Sequence, residues 1–174
     1  MIDPVDWRPR GILSLERNAS RAITNIGKNV LVSAGPGSGK TELLAQRADF
    51  LFRTGECSYP RRILAISFKT DAARNLRERI FTRSGSSYAA RFDSFTFHAF
   101  AKRLIDNYRP VLTGSSSLAP NYRIDETRIP GIQITFSDLI FLSLEIIETS
   151  RHARKALRQT YSHVFLLLVL KIVP

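Results

Sequence analysis

An eight-residue segment near the N-terminus combines three glycines with a lysine and a hydroxyl group. It reads Ala34-Gly-Pro-Gly-Ser-Gly-Lys-Thr41 and directly follows the short apolar run Asn29-Val-Leu-Val-Ser33. Glycines let the chain turn tightly enough for several backbone N–H groups to converge on one anion at the start of a helix. A lysine adds a point charge, and a hydroxyl adds a ligand for a divalent cation. The combination is therefore suited to binding a polyphosphate together with a metal ion.

This segment matches the P-loop, or Walker A, pattern, with alanine at the first position, where glycine is more usual. The predicted context is the required one, because Asn29–Ser33 is predicted to be a strand and the helix after the loop has an apolar stripe through Leu44, Ala48 and Leu51. We expect Lys40 to reach the β and γ phosphates of a nucleoside triphosphate and Thr41 to ligate Mg²⁺. A glycine turn that only caps a helix is the alternative, and it needs neither side chain. The predicted nucleotide-binding residues are Ala34, Gly35, Pro36, Gly37, Ser38, Gly39, Lys40 and Thr41.

Strands and helices alternate along the rest of the sequence, which predicts an α/β fold with a parallel sheet flanked by helices. Ile63–Ser67 is a second apolar run, and a helical pattern opens at Thr70. A short strand or turn at 91–95 precedes a helix over about 96–108. The segment 109–134 is rich in Pro, Ser and Gly, and two helical patterns follow it, so we predict a small helical insertion there. The last apolar run, Val164–Leu170, is predicted to be a buried strand.

Composition sets the class of molecule. The chain has 174 residues, of which 44% are apolar and 24% charged, enough for one compact domain or a core with an insertion. Its net charge of +11 predicts an anionic partner, nucleic acid first, although a solvated basic face is the alternative. The single cysteine, Cys57, excludes a disulfide framework and any zinc site built on several cysteines. With no apolar stretch long enough for a signal peptide or a membrane span, the chain is expected to be cytoplasmic and to bind no membrane.

Three further segments fall in register with the glycine loop. They are the helix Leu13–Ile23 before the loop, the strand and helix over Ile63–Ile80, and Thr96-Phe-His-Ala-Phe-Ala-Lys-Arg-Leu-Ile105. With the loop, they resemble the first part of the UvrD/Rep-like superfamily 1 DNA helicases over about residues 13–108. The resemblance implies a RecA-like ATP-binding domain with ATP and Mg²⁺ as cofactors. It also implies a helicase or translocase that couples ATP hydrolysis to movement on single-stranded or partly duplex DNA; protein partners stay unknown.

The resemblance also implies roles for individual residues. In this family a glutamine before the P-loop reads adenine, and the nearest amide here is Asn18, for which an exposed helix residue without a role is the alternative. Ser67, Phe68, Lys69 and Thr70 match motif Ia, which contacts single-stranded DNA. Packing of Phe68 in the core is the alternative for that ring. The Thr-Phe-His motif places Thr96 and His98 near the DNA strand, whereas Phe97 and Phe100 are expected to pack in the core. No second ligand accompanies His98 at metal-binding spacing.

The resemblance ends before the Walker B motif. Tyr161-Ser-His-Val-Phe-Leu166 looks like the approach to the family's Asp-Glu-x-Gln-Asp segment, but the chain continues Leu-Leu-Val-Leu-Lys-Ile-Val-Pro174. Hydrolysis by P-loop enzymes needs an acidic residue at such a strand end. We therefore expect weak turnover or none from this chain, which also lacks the family's second RecA-like domain. Another P-loop NTPase or kinase, or a catalytically dead remnant that binds nucleotide or DNA, is the alternative function.

These observations define the expected domains. They are a leader arm over 1–12, an incomplete RecA-like ATP-binding domain over 13–108 and 150–174, and an insertion over 109–149 that corresponds to a reduced accessory subdomain.

A shift of reading frame at about Leu166 is one hypothesis for the apolar tail, since Lys171-Ile-Val-Pro174 is a possible one-base-shifted reading of Gln-Asp-Cys-Thr codons. Translating the gene in its other two frames is then expected to give Asp-Glu-x-Gln-Asp at this place. Absence of that segment from both frames would exclude the hypothesis.

Overall fold

The computed structural model describes residues 1–11, 14–33, 35 and 37–167, which form two compact units. The first unit consists of Met1–Ser94 with the C-terminal segment from Tyr161, and the second of Phe95–Thr160. In chain order the helices and strands are α1 (Arg17–Thr24), α2 (Lys40–Arg53), β1 (Arg62–Ser67), α3 (Thr70–Ser84), α4 (Ser86–Ala89), β2 (Phe92–Thr96), α5 (Phe97–Tyr108), β3 (Leu118–Ile124), β4 (Gly131–Ile134), α6 (Phe136–Thr149), α7 (Arg151–Thr160) and β5 (Tyr161–Leu167).

The first unit is built on a three-stranded sheet with the order β2-β1-β5. β1 and β5 run parallel, with Ile63 opposite His163 and Ser67 opposite Leu167. Apolar side chains of α2, α3, β1, β2 and β5 share one buried cluster, which includes Phe50, Leu51, Ile63, Leu76, Ile80, Phe92 and Phe165. The predicted α/β class, a parallel sheet flanked by helices, is therefore confirmed.

The second unit packs three helices around a separate core. Ala101 and Ile105 of α5 meet Leu139 and Leu142 of α6, and Ala153 of α7 completes the buried cluster. A two-stranded parallel sheet of β3 and β4 lies in the same unit. α5 belongs to this unit because its buried face is shared with α6, so the unit begins earlier in the chain than the Pro- and Ser-rich composition alone indicates.

The strand predicted at Asn29–Ser33 is not formed. Residues 29–33 carry no strand hydrogen bonding, and the side chain of Leu31 is 96% exposed. A β-strand is stable only beside a partner that accepts and donates its backbone hydrogen bonds. The sheet of the first unit pairs β1 with β2 and β5 and does not include this segment. Residues 29–33 therefore have the composition of a strand but do not pair with a strand in the described sheet.

The C-terminal strand is confirmed as β5, with different bounds. It begins at Tyr161, three residues before the predicted start, because Tyr161 and His163 also pair with β1, opposite Arg62 and Ile63. Residues 168–170 of the predicted strand lie beyond the described part of the chain. Among the residues with described structure, no helix is long and apolar enough to cross a membrane.

A buried carboxylate connects the N-terminal segment to α2 and α3. The side chain of Asp49 is 0% exposed, and it accepts hydrogen bonds from Trp7 Nε1 at 2.9 Å and Ser84 Oγ at 3.1 Å. Arg53 and Arg10 lie 3.2 and 3.4 Å from its oxygens. A buried charge is tolerated only when it is paired and hydrogen-bonded in this way. Residues predicted as a leader arm therefore pack against α2, with the indole of Trp7 in the core.

Substitution Asp49→Ala is expected to lower the free energy of unfolding by about 2–4 kcal/mol, because it leaves the buried Trp7 donor and two guanidinium groups without their acceptor. Urea unfolding followed by circular dichroism measures the change. Asp71→Ala is the matched control, since the Asp71 side chain is 76% exposed in its ion pair with Arg74 and such pairs contribute at most about 1 kcal/mol. Equal effects of the two substitutions would contradict this role for Asp49.

Candidate functional site

Two glycines of the loop before α2 adopt the left-handed backbone conformation. Gly37 has φ +75° and Gly39 has φ +77°, values that side chains with a Cβ rarely adopt. Gly39 is also the N-cap residue of α2, and no side chain caps the helix. Added Cβ atoms at Gly35, Gly37 and Gly39 would meet nothing within 4 Å, so the loop is open on that side. Ala34 and Pro36, the other predicted members of the loop, fall outside the described residues.

The lysine of the loop lies across the loop itself. Lys40 Nζ donates a short hydrogen bond to the carbonyl oxygen of Gly35 and lies 3.4 Å from Ser38 Oγ. Ser38 Oγ donates to the same carbonyl at 2.7 Å. Thr41, the next predicted residue, is half-buried in the first turn of α2. The structure therefore brings Gly35, Ser38 and Lys40 together around one carbonyl oxygen at the start of the helix.

The first turn of α2 is held against α3 by Glu42. Its carboxylate accepts hydrogen bonds from Arg79 at 2.7 Å, Arg83 at 3.0 Å and Gln46 at 2.8 Å. Burial alone would raise the pKa of Glu42, but the hydrogen bonds from Arg79, Gln46 and Arg83 outweigh it and lower the pKa from its ordinary value. Glu42 is not among the site residues predicted from the sequence. Its position directly after Thr41 is the only feature of the sequence that relates it to the loop.

A half-buried arginine connects α2 to the helix that precedes the loop. Arg47 Nη1 donates to the carbonyl oxygens of Ala22, Ile23 and Asn25, at 2.9, 2.8 and 3.1 Å. These carbonyls end α1 and have no partner within that helix. Burial lowers the pKa of Arg47 from its usual range. Asn18, the predicted adenine-reading residue, lies on α1 and is exposed, and its role stays a prediction.

The segment between β1 and α3 carries the first group of predicted DNA contacts. Phe68 is 68% exposed, so the alternative of core packing is wrong for this ring. Lys69 and Thr70 are also exposed, at the start of α3. Ser67 is buried, and its hydroxyl donates to the carbonyl of Lys69 at 3.0 Å. Three of the four predicted contacts are thus accessible, and the fourth shapes the turn that presents them.

The second group of predicted DNA contacts opens α5. Thr96 is the N-cap residue, and its hydroxyl accepts a hydrogen bond from the backbone N–H of Ala99 at 3.2 Å. His98 is exposed, and its ring centroid lies 5.1 Å from that of Phe136, the first residue of α6. Phe97 and Phe100 are half-buried. Sequence reasoning missed Phe136, because nothing in the local pattern relates it to α5.

The described residues at the carboxyl end of β5 are not acidic. β5 runs parallel beside β1, and its last described residues are Leu166 and Leu167. Within the described ranges, no group of three or more histidine, cysteine, aspartate or glutamate side chains could hold a metal ion.

An α/β unit with a glycine loop at the start of a helix is the fold class of the P-loop NTPases. The sequence profile of the UvrD/REP helicase N-terminal domain matches residues 15–129 of this chain. The chain therefore belongs to the UvrD/REP helicase N-terminal domain family, and the family resemblance found in the sequence motifs is confirmed.

Several curated proteins are similar to this chain. The ATP-dependent DNA helicase UvrD1 of Mycobacterium leprae is 32% identical over 62% of the chain, and DNA helicase II of Escherichia coli is 38% identical over 53%. A probable DNA helicase of Mycoplasma pneumoniae is 27% identical over 88% of the chain. These alignments cover 14%, 12% and 29% of the relatives' own lengths, so the chain spans only a minor part of each.

The lowered pKa of Glu42 predicts a pH-dependent part of the stability. Because the folded-state pKa lies below the ordinary 4.5, this contribution is present above that value and is lost as the pH falls through the folded-state pKa. Urea midpoints measured from pH 7 down to pH 3 are expected to fall less steeply in Glu42→Gln than in the unsubstituted chain. Glu148→Gln, at an exposed position on α6, is the control. An unchanged pH dependence in Glu42→Gln would contradict the assignment.

Proposed function

We propose that the chain is the ATP-binding part of an ATP-dependent DNA helicase or translocase, and that it binds ATP with Mg²⁺ at the loop 34–41. The observation that carries this proposal is the geometry of the loop: two left-handed glycines, an uncapped helix start and Lys40 at the same place. The first N–H groups of an uncapped helix lack partners within the helix and carry partial positive charge, which suits them to an anion. The names of the similar proteins support the same reading.

The residues present fit a nucleotide with its metal ion. The side of the loop beside Gly35, Gly37 and Gly39 is open, so phosphate oxygens can approach the backbone. Lys40 would bind the β and γ phosphates and Thr41 would ligate Mg²⁺, whose chemistry is to neutralise charge on the phosphates. The Gly35 carbonyl now holds the ammonium group of Lys40, so a phosphate must replace that hydrogen bond. Asn18 is proposed to contact the adenine.

We propose single-stranded or partly duplex DNA as the macromolecular partner. Phe68 supplies an exposed ring for base stacking, and Lys69 and Thr70 beside it supply phosphate contacts. Ser67 supports this turn, while Thr96 and His98 form a second contact. A net charge of +11 favours a polyanion over a small neutral acceptor. With DNA as the partner, we also propose that the chain acts inside the cell, as a cytoplasmic protein.

ATP binding and ATP turnover are separate properties in this chain. The last described residues of β5 are Leu166 and Leu167, and the sequence continues Leu-Val-Leu-Lys-Ile-Val-Pro174, whereas P-loop enzymes carry at such a strand end the acidic residue that holds the metal ion. We therefore propose binding with weak or no hydrolysis. Met1–Ser94 with the segment from Tyr161 would supply the ATP-binding domain, and Phe95–Thr160 the reduced accessory subdomain.

Titration of the chain with Mg-ATP, with and without single-stranded DNA, tests these proposals when phosphate release is followed in parallel. Lys40→Ala is expected to weaken ATP binding at least about tenfold, because it removes a charge-assisted contact to the phosphates. Lys155→Ala, at an exposed position on α7, is the matched control and should bind ATP normally.

Each outcome separates one function from another. Binding that depends on Lys40 and is coupled to DNA, without phosphate release, supports the proposal. Release that DNA stimulates and Lys40→Ala abolishes would show that an acid elsewhere completes the site. Equal ATP affinity in Lys40→Ala and the unsubstituted chain would refute the loop as the ATP site. If a small acceptor molecule changes the affinity for nucleotide and DNA does not change it, the result would favour a kinase.

A further inference from the structure

The second unit exposes a pair of aromatic rings that its core does not use. Phe136 is 61% exposed although it is a large apolar side chain at the first position of α6. The buried stripe of this helix runs through Leu139, Leu142 and Ile146, and Phe136 continues it by one turn beyond the core. Its ring lies 5.1 Å from the exposed ring of His98, at an interplanar angle of 50°. Two helices thus contribute adjacent rings to one accessible place.

Both rings are held by ordered helix starts. Thr135 and Asp138 form a capping box around Phe136, in which Thr135 N donates to Asp138 Oδ2 at 2.8 Å and Asp138 N donates to Thr135 Oγ1 at 3.3 Å. Arg128 pairs with Asp138 at 3.2 Å. On α5 the Thr96 cap fixes the turn that carries His98. The rings are therefore preorganised, which reduces the conformational entropy that these side chains lose when a ligand binds against them.

Positive charge accompanies the rings on α5. Lys102 lies one turn after His98 and is exposed, and its ammonium group forms an ion pair with Asp106 at 2.6 Å. The guanidinium group of Arg103 lies 5.4 Å from the centre of the Phe95 ring. Exposed aromatic rings beside cationic side chains are the combination by which proteins bind single-stranded nucleic acid, since each base offers a π-face and each nucleotide a phosphate.

We propose that Phe136 and His98 form a stacking site for a base of single-stranded DNA. The proposal rests on the DNA binding proposed above and adds Phe136, a residue of the insertion, to that interface. The rest of α6 argues for a local site: Phe141 is 70% exposed but lies about 140° around the helix from Phe136, at 3.6 residues per turn. Phe141 therefore belongs to a different face and provides an internal control.

Binding of a fluorescein-labelled oligo-dT to the full chain, measured by anisotropy at several salt concentrations, tests this site. Phe136→Ala is expected to weaken binding by about 5- to 100-fold, since a stacked base contributes roughly 1–3 kcal/mol. Its dependence on salt should be unchanged, because a ring neutralises no phosphate, whereas Lys69→Ala should reduce the salt slope. Phe141→Ala should bind as the unsubstituted chain does.

Phe136→Trp provides a direct signal and a test that does not depend on losing a side chain. The variant should keep its affinity, and its added indole fluorescence should be quenched by oligo-dT, while Trp7 stays buried. If the chain binds oligo-dT and Lys69→Ala weakens it but Phe136→Ala does not, the stacking site is refuted and the DNA proposal stands. If the unsubstituted chain does not bind oligo-dT, both are refuted. Equal losses in Phe136→Ala and Phe141→Ala would also refute the site.

Discussion

The buried carboxylate of Asp49 is the constraint on which the first unit depends. A charge with no solvent exposure must be surrounded by donors, and here they come from the N-terminal segment, from α2 itself and from the end of α3. Those donors fix the rotation of α2 about its axis, because a turn of the helix would expose the carboxylate or leave it unpaired. The start of the same helix carries Lys40 and Thr41. The orientation of the helix start is therefore set about two and a half turns away, by the hydrogen bonds and ion pairs of Asp49.

Two further charged side chains fix the position of α2. Glu42 joins the first turn of α2 to α3, and Arg47 joins the middle of α2 to the end of α1.

A second carboxylate connects the strands of the sheet. Arg62 of β1 makes two hydrogen bonds to Asp93 of β2, at 2.7 and 2.6 Å, and the Tyr161 hydroxyl of β5 donates to the same carboxylate at 2.9 Å. The carboxylate of Asp93 raises the pKa of Arg62. One acidic group thus fixes the relative positions of all three strands.

Helices and strands whose residues show a clear local pattern could be predicted from the sequence alone. The helix from Lys40 follows from its apolar period and its glycine loop, and β1 follows from five consecutive apolar or small residues. Asn29–Ser33 has an equally apolar pattern. A strand forms only by hydrogen bonding to a neighbouring strand, and local composition cannot show whether that neighbour is present. Trp7, Asp49 and Arg47 were missed for a related reason: each interacts with residues more than 20 positions away, or lies in a segment without periodicity.

The same distinction applies to function. A phosphate-binding loop is made by consecutive residues. It can therefore be predicted from eight residues of sequence, without knowledge of the rest of the fold. Hydrolysis is a non-local property, because it needs an acid on another strand, and the proposed stacking site is non-local as well, since the rings of His98 and Phe136 lie 38 positions apart in the sequence. Coupling between nucleotide and nucleic acid must pass through such non-local contacts. In this chain β5 keeps its place beside β1, and its last described residues are leucines, so position in the sheet and the chemistry of the strand end are separable properties.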